Sequence, residues 1–223
     1  METPVRKHRR ACALLAATVA VLLAAAGCIV VQGYVSAPAA LRRARQYPMP
    51  LGIADLTPAQ QEALLTVQDP NFYSHPGVDL GISGGVWTTI TQGLVKQFYF
   101  ADFRPGFLHL GKVRQSLLAV GFNRRISKNE QLRLFINCVY LGRMDHPILG
   151  FDDAARAYYK KPFADLSREE YLGLVAAIAS PVTFNPVAHP QENRQRVERI
   201  ERLLKGECAS QGRSDALYSG CAK

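Results

Sequence analysis

Residues 67–77 of this chain read Val67-Gln68-Asp69-Pro70-Asn71-Phe72-Tyr73-Ser74-His75-Pro76-Gly77. A helix is predicted to lead into this segment from Pro58, because Thr57 is a good N-cap, proline suits the first helical position and Gln60 completes a capping box. We therefore expect the helix to end at the segment and to present residues 68 and 69 where the chain turns. The segment groups acidic, aromatic and imidazole side chains within nine residues.

The remaining sequence predicts a mostly α-helical fold. Further helices are indicated at about residues 88–99, 108–122, 128–141, 150–159, 168–180 and 190–205. The clearest is 128–141, where Ser127 and Glu130 form a capping signal and apolar residues recur at i, i+3, i+4, i+7 and i+8 from Leu132 to Tyr140. No segment alternates convincingly in the manner of a strand.

The composition indicates one domain with appendages and an anionic partner. The chain has 223 residues and a formal net charge of +9, which favours an acidic membrane face or a phosphorylated substrate. Nucleic acid is disfavoured, because no binding motif is present and the basic residues are spread along the chain.

An N-terminal membrane anchor is predicted. Arg6 to Arg10 form a basic cluster ahead of an apolar run over residues 11–35, which is long enough for a bilayer core. The cluster should stay cytoplasmic, which places the domain outside a bacterial inner membrane as a single-pass protein. A cleaved signal peptide or a lipidated N-terminus remains open, because Ala24 to Gly27 supply small residues before Cys28.

The predicted organisation has four parts. A basic stub and anchor occupy residues 1–35, a linker with three prolines and three arginines 36–55, the domain 56–206 and a polar tail 207–223. In an oxidising compartment Cys208 and Cys221 would close a loop in the tail. A flexible tail with two free thiols is the alternative.

The motifs from Leu56 to Leu204 resemble glycosyltransferase family 51, the peptidoglycan transglycosylases that polymerise lipid II. The matches begin with Asp69, Phe72, His75 and Gly77 and continue with Thr89-Ile90-Thr91-Gln92. The resemblance implies a lysozyme-like helical domain with a mobile segment, here the aromatic stretch 98–108, near the bilayer; packing under a loop is the alternative for that stretch. It also implies that the substrate is bound by His75, Thr89, Thr91, Gln92, Lys96, Lys112 and Asn137.

Two departures from the family pattern fall on the chemistry. Gln68 occupies the position of the first catalytic glutamate, the general base. Gln115 occupies that of the second, in a motif whose arginine is Gly111 here. A carboxamide does not take up a proton at neutral pH, and losing a general base costs about 10²–10⁴-fold in rate. Asp69 is adjacent, but one residue along a helix turns it about 100° away, so we interpret it as a structural carboxylate.

Two hypotheses follow from the resemblance. The first is a peptidoglycan glycosyltransferase that is slow or uses a relocated base. The second is a non-catalytic protein that binds lipid II, a nascent glycan strand or another cell-wall synthase. A lysozyme-like hydrolase is less favoured, because it too needs a carboxylic acid in the cleft. No metal site or cofactor is predicted, although Mg²⁺ bridging the lipid diphosphate is compatible with the family.

Overall fold

The computed structural model describes residues 4–79, 88–100, 109–212 and 215–222, with the backbone alone for residues 4–8 and 11. The α-helices are α1 (Pro4–Ala44), α2 (Pro58–Gln68), α3 (Ile90–Tyr99), α4 (Leu110–Arg125), α5 (Lys128–Cys138), α6 (Gly150–Ala154), α7 (Arg168–Ala177) and α8 (Pro190–Leu204). Strands β1 (Tyr140–Arg143) and β2 (Pro147–Leu149) form an antiparallel hairpin, and 3₁₀ turns occur at Ile53–Asp55, Phe163–Asp165 and Ser219–Cys221. The predicted mostly helical fold class is confirmed.

Helix α1 has an exposed apolar N-terminal part and a C-terminal end that packs on the domain. Within the described residues, its part from Cys12 onward is the one helix that is long and apolar enough to cross a membrane. The exposed side chains of Leu14, Leu15, Leu22 and Leu23 lie in this part, so it presents an apolar surface on its N-terminal side.

The C-terminal end of α1 belongs to the domain. The sequence predicts a linker over residues 36–55, but α1 continues through Pro38 to Ala44. Ala37, Ala40 and Ala44 are buried in the hydrophobic core. Tertiary packing therefore stabilises a helix where the prolines and arginines had suggested an irregular connection.

Two glycines allow α1 to approach α4 at backbone distance. A Cβ on Gly121 would overlap the carbonyl oxygen of Val30, and a Cβ on Gly33 would overlap that of Leu118. The Tyr99 hydroxyl donates a hydrogen bond to the Gly33 carbonyl at 2.8 Å. Helix α1 is consequently fixed to the rest of the domain by packing as well as by chain connectivity.

Capping residues set the starts of three helices around the core. Thr57, Thr89 and Ser167 each accept a hydrogen bond from the backbone N–H three residues later, at 3.1–3.2 Å. The glutamine or glutamate side chain at that later position accepts in return from the N-cap N–H. These reciprocal bonds satisfy backbone donors that a helix start leaves unpaired.

The hairpin is the element that the sequence did not predict. The helix expected to reach residue 141 ends at Cys138, and β1 follows at once. Gly142 and Gly150 have φ values of 134° and 79°, a region open to glycine and costly for other residues. After α6 the chain makes a π-helical turn at Ala155–Tyr159, where one longer helix was predicted.

The C-terminal tail is folded in the described residues. Cys208 and Cys221 form a disulfide with a Cα–Cα distance of 5.3 Å, which decides between the two alternatives left open by the sequence. The carboxylate of Asp215 accepts hydrogen bonds from the backbone N–H groups of Gln211 and Ser219, at 2.9 and 2.5 Å.

Candidate substrate cleft

An open cleft of about 970 Å³ runs between the end of α2, the starts of α3 and α4, the hairpin and α8. Five of the predicted site residues line it, namely Gln68, Thr89, Lys96, Lys112 and Gln115. The local fold explains this grouping. The helix α2 ends at Gln68, Thr89 caps α3, and Lys96 lies two turns further along α3.

Asp69 and His75 lie behind the cleft wall. The Asp69 carboxylate is 2% exposed; it accepts a hydrogen bond from the Ile90 N–H at 3.0 Å and lies 3.0 Å from His75 Nε2. The N–H of Gly77 donates to His75 Nδ1 at 3.0 Å, so the imidazole proton is on Nε2 and points to Asp69. This carboxylate joins the end of α2 to the start of α3, which supports its interpretation as structural.

Thr91 and Gln92 also face the interior. The Thr91 hydroxyl donates to Gln131 Oε1 at 2.6 Å. The Gln92 side chain donates to Ser116 Oγ at 2.8 Å and accepts from the Thr89 N–H at 3.0 Å. Both side chains fix α3 against its neighbours and do not line the cleft.

Asn137 makes a structural connection elsewhere. Its side chain accepts from the Leu51 N–H at 3.0 Å and donates to the Leu51 carbonyl at 2.8 Å. These bonds attach the segment after α1 to α5. Asn137 lines a separate, smaller pocket of about 410 Å³, so the structure does not bring it together with the lysines.

Gln115 is built into the cleft wall as an amide. The residue is 0% exposed. Its Nε2 donates to the Gln92 carbonyl oxygen at 2.7 Å, whereas Oε1 is buried and has no hydrogen-bond partner among the residues that the structure describes. A buried acceptor without a partner is uncommon and costly, and this one is enclosed in the wall and not exposed to the cleft.

Of the two lysines in the cleft, Lys112 is partly buried and Lys96 is exposed. Lys112 Nζ donates to the Thr88 hydroxyl at 2.8 Å. Burial, together with the positive charge of Lys96, lowers the pKa of Lys112. Two lysines that influence each other across one cleft favour a ligand with concentrated negative charge, because such a ligand relieves their repulsion.

Arg196 is a cleft residue that the sequence reading missed. It is 2% exposed, and its Nη2 donates to the Ala216 carbonyl at 3.0 Å. Nη1 is buried without a hydrogen-bond partner in the described part of the chain, and burial lowers the pKa of the guanidinium to about 10. The available signal was its place in α8, since residues 193, 196, 197 and 200 follow i, i+3, i+4 and i+7 and are all buried.

The described lining of the cleft has three cationic side chains and no acidic one. Among its described lining residues there are two lysines and one arginine, and no aspartate or glutamate. No group of three or more metal-ligating side chains occurs in the part of the chain that the structure describes. The described lining therefore does not fit a protein-held Mg²⁺ site, which usually includes one or two carboxylate ligands. The aromatic stretch predicted to lie near the bilayer falls largely at 101–108, outside the described residues.

Comparison with known proteins agrees with the motifs. A family model described as Transglycosylase matches residues 36–205. Penicillin-binding protein 1A of Pseudomonas aeruginosa is 32% identical over 170 residues, which cover 70% of this chain and 20% of that protein. Penicillin-binding protein 1F of Bacillus subtilis is 27% identical over 192 residues, 76% of this chain and 26% of the relative.

The similarity is confined to part of each relative. Penicillin-binding protein 1A of Neisseria flavescens is 31% identical over 180 residues, again 74% of this chain but 22% of that protein. The chain thus spans about a fifth to a quarter of the curated relatives it matches. Since the family match extends over most of the chain and its predicted domain, the chain belongs to the transglycosylase family, glycosyltransferase family 51, with a lysozyme-like helical domain.

Proposed function

We propose that this protein binds lipid II or a growing glycan strand during peptidoglycan synthesis and polymerises it slowly or not at all. One observation carries the proposal: the described cleft lining has Lys96, Lys112 and Arg196 with the amides Gln68 and Gln115, and no carboxylate. This lining retains cationic groups that can bind an anionic ligand, and it lacks a carboxylate that could accept a proton.

The binding side of the proposal rests on charge and burial. A lipid diphosphate carries its charge on closely spaced oxygens, and partly buried ammonium groups bind such oxygens through charge-assisted hydrogen bonds. Lys112 is held by Thr88 at the cleft, and its pKa is lowered by burial and by Lys96. An anion between the two lysines would raise that pKa again, which is the thermodynamic signature of favourable binding.

The catalytic side of the proposal rests on Gln68. Glycan polymerisation requires a sugar hydroxyl to lose its proton as it attacks the anomeric carbon, and a carboxylate within hydrogen-bond reach usually accepts it. Gln68 lines the cleft at the family position of that base, and its amide cannot accept the proton. Asp69 is buried and already bonded to Ile90 and His75, so it is not available to replace the base.

We further propose that α1 anchors the protein in the cytoplasmic membrane, with the domain on the outer side. The basic cluster before the apolar run favours this orientation. The disulfide between Cys208 and Cys221 supports it as well, because disulfides persist in oxidising compartments.

Polymerisation of fluorescent lipid II by the full chain in detergent tests the catalytic part. The native chain should form little or no glycan, and Gln68→Glu should form more. Gln61→Glu, on the same helix but outside the cleft lining, is the matched control and should leave the rate unchanged. Polymerisation by the native chain at the rate of an active family member would contradict the proposal. In that case Asp102→Asn would show whether this carboxylate, which lies outside the described residues, supplies the base.

Binding is tested separately from catalysis. Lipid II or a phosphoglycolipid inhibitor of the family should bind the native chain, and Lys96→Ala should weaken binding about tenfold, the loss expected for one charge-assisted hydrogen bond. Lys205→Ala, an exposed lysine at the end of α8, should have no effect. Equal loss in both variants would indicate nonspecific attraction by net charge.

A further inference from the structure

The C-terminal tail, defined here as residues 207–222, lies beyond the family match, which ends at residue 205. It is nevertheless a built structure in its described part. The disulfide closes it, and Asp215 inside the loop accepts from the backbone N–H and the hydroxyl of Ser219 at 2.5 and 2.6 Å. The described residues of the tail, 207–212 and 215–222, are therefore folded and held together.

Tyr218 attaches the tail to the end of α2. Its side chain is 1% exposed, and its hydroxyl donates to the Val67 carbonyl at 2.7 Å and lies 3.3 Å from that of Thr66. These are carbonyls of the last helical turn, which lack intrahelical donors. The Thr66 carbonyl lacks one for a specific reason, because residue 70, four positions later, is a proline and has no N–H.

Arginines of α8 attach the other side of the tail. Arg196 Nη2 donates to the Ala216 carbonyl at 3.0 Å, and Arg202 Nη1 donates to the Cys221 carbonyl at 2.8 Å. Between these attachments, Ala216 and Leu217 line the cleft together with Arg196 itself. The tail thus bridges α8 and the end of α2 and forms part of the cleft wall.

We infer that the disulfide-closed tail is a working part of the ligand cleft, with Tyr218 as a positioning residue for Gln68. The bond to Val67 fixes the residue directly before Gln68, and Ala216 and Leu217 add an apolar section to the cleft wall. The affinity of the cleft for its lipid-linked ligand then depends on a segment outside the part of the chain that matches the family. The identity of that ligand rests on the proposed function, whereas the positioning of Gln68 does not.

The test compares two tyrosine hydroxyls that bind the same helix. Tyr218→Phe removes the bond at the cleft end of α2. Tyr171→Phe is the matched control, because the equally buried Tyr171 donates to the Gln60 carbonyl at 2.8 Å near the other end. Cys208→Ser/Cys221→Ser opens the tail. Each full-length variant is measured in detergent for thermal stability, for the dissociation constant of fluorescent lipid II and for hydrogen exchange at the amides of residues 67–69.

Tyr218→Phe should weaken lipid II binding about fivefold, which corresponds to one ordinary hydrogen bond, and should accelerate exchange at residues 67–69 by a similar factor. Tyr171→Phe should lower the melting temperature comparably and change neither readout. The double cysteine variant should weaken binding about tenfold or more.

Unchanged exchange and affinity in Tyr218→Phe and the cysteine variant would overturn the inference, and so would equal effects in Tyr171→Phe. If the native chain bound no lipid II, the proposed function would fail. The exchange measurement would still decide whether the tail positions Gln68.

Discussion

Replacing Gln115 by glutamate restores a family residue, yet the structure predicts that it destabilises this protein. The Gln115 side chain is fully buried, and its Nε2 donates to the Gln92 carbonyl at 2.7 Å. A carboxylate has no hydrogen to donate. In the Gln115→Glu variant, the ionised side chain would therefore place an oxygen of like partial charge against that carbonyl.

The size of the stability loss depends on whether the introduced glutamate is protonated or ionised. The protonated acid can still donate to the Gln92 carbonyl, so it should cost little. The ionised form loses that bond and is desolvated, and Lys112, one turn earlier on α4, is already bonded to Thr88. If burial raises the folded-state pKa of the introduced carboxyl from about 4.3 to about 6.3, the cost at pH 8 is about 2.7 kcal/mol.

The pH dependence gives the prediction its sign. The pKa of a glutamate in the unfolded chain is about 4.3, and in the folded variant it is expected to be higher. The folded state then binds the proton more tightly, so the stability of the variant should come within about 0.6 kcal/mol of the native value at pH 4.5. Its free energy of unfolding should fall below the native value as pH rises through about 4.3–6.3 and stay lower above that range.

Chemical unfolding of both full-length chains in detergent, followed by near-ultraviolet circular dichroism from pH 4.5 to 8, measures this difference. Gln61→Glu, which introduces the same charge at a more exposed position of α2, is the control and should show no such pH-dependent loss. A Gln115→Glu chain as stable as the native one at pH 8 would refute the reasoning. A loss that did not vary with pH would also refute it, because it would point to packing and not to ionisation.

Two glycine substitutions should have opposite effects on stability. Gly121→Ala would push a Cβ into the Val30 carbonyl and should lower the free energy of unfolding by about 2 kcal/mol or more. A Cβ added at Gly93 meets nothing within 4 Å among the described residues, so Gly93→Ala should raise the free energy of unfolding by about 0.5–1 kcal/mol through the helix propensity of α3. Equal effects would contradict the packing of α1 on α4. Burial lowers the pKa of Lys128 to about 8, and its Nζ lies over the Phe72 ring with no hydrogen-bond partner within the described ranges. The Lys128 ammonium therefore holds its proton more tightly in the unfolded chain than in the folded one. The free energy of unfolding of the native chain should rise between about pH 8 and 10.5, by about 1 kcal/mol after allowance for solvent screening. Lys128→Met should remove this rise.

The sequence predicted best where local chemistry decides the structure. The start of α2 at Pro58 and of α7 at Arg168 follows from N-caps and reciprocal side-chain bonds that span four residues. The structural interpretation of Asp69 agrees with its contacts, but the helical rotation of about 100° per residue is not their cause, because Asp69 is the non-helical C-cap of α2 and its bonds to Ile90 and His75 hold it. N-cap signals, by contrast, are local. These signals need no knowledge of distant contacts.

The sequence-based predictions were wrong or incomplete where contacts between distant parts of the chain determine the structure. Helix α1 extends through Pro38 because Ala40 and Ala44 are buried against the domain, and the sequence does not show that packing. The hairpin was missed because β1 and β2 have only four and three residues, too few for an alternating pattern. Arg196 was overlooked because its place at the cleft depends on a contact with the tail: its guanidinium donates a hydrogen bond to the Ala216 carbonyl oxygen.

The two glutamines of the cleft are not equivalent substitutions. Gln68 is only partly buried and makes no side-chain hydrogen bond among the described residues, so a carboxylate there stays hydrated and ionised. Gln115 is enclosed and uses its amide hydrogen to bind Gln92. We therefore expect Gln68→Glu to account for most of any recovered polymerisation. Adding Gln115→Glu should lower stability at pH 8 and should not add activity in proportion. The opposite result would be a double variant that is stable at pH 8 and far more active than Gln68→Glu. That result would mean that the cleft wall around Gln115 accepts a carboxylate by rearranging, and it would contradict the conclusion that this wall requires an amide.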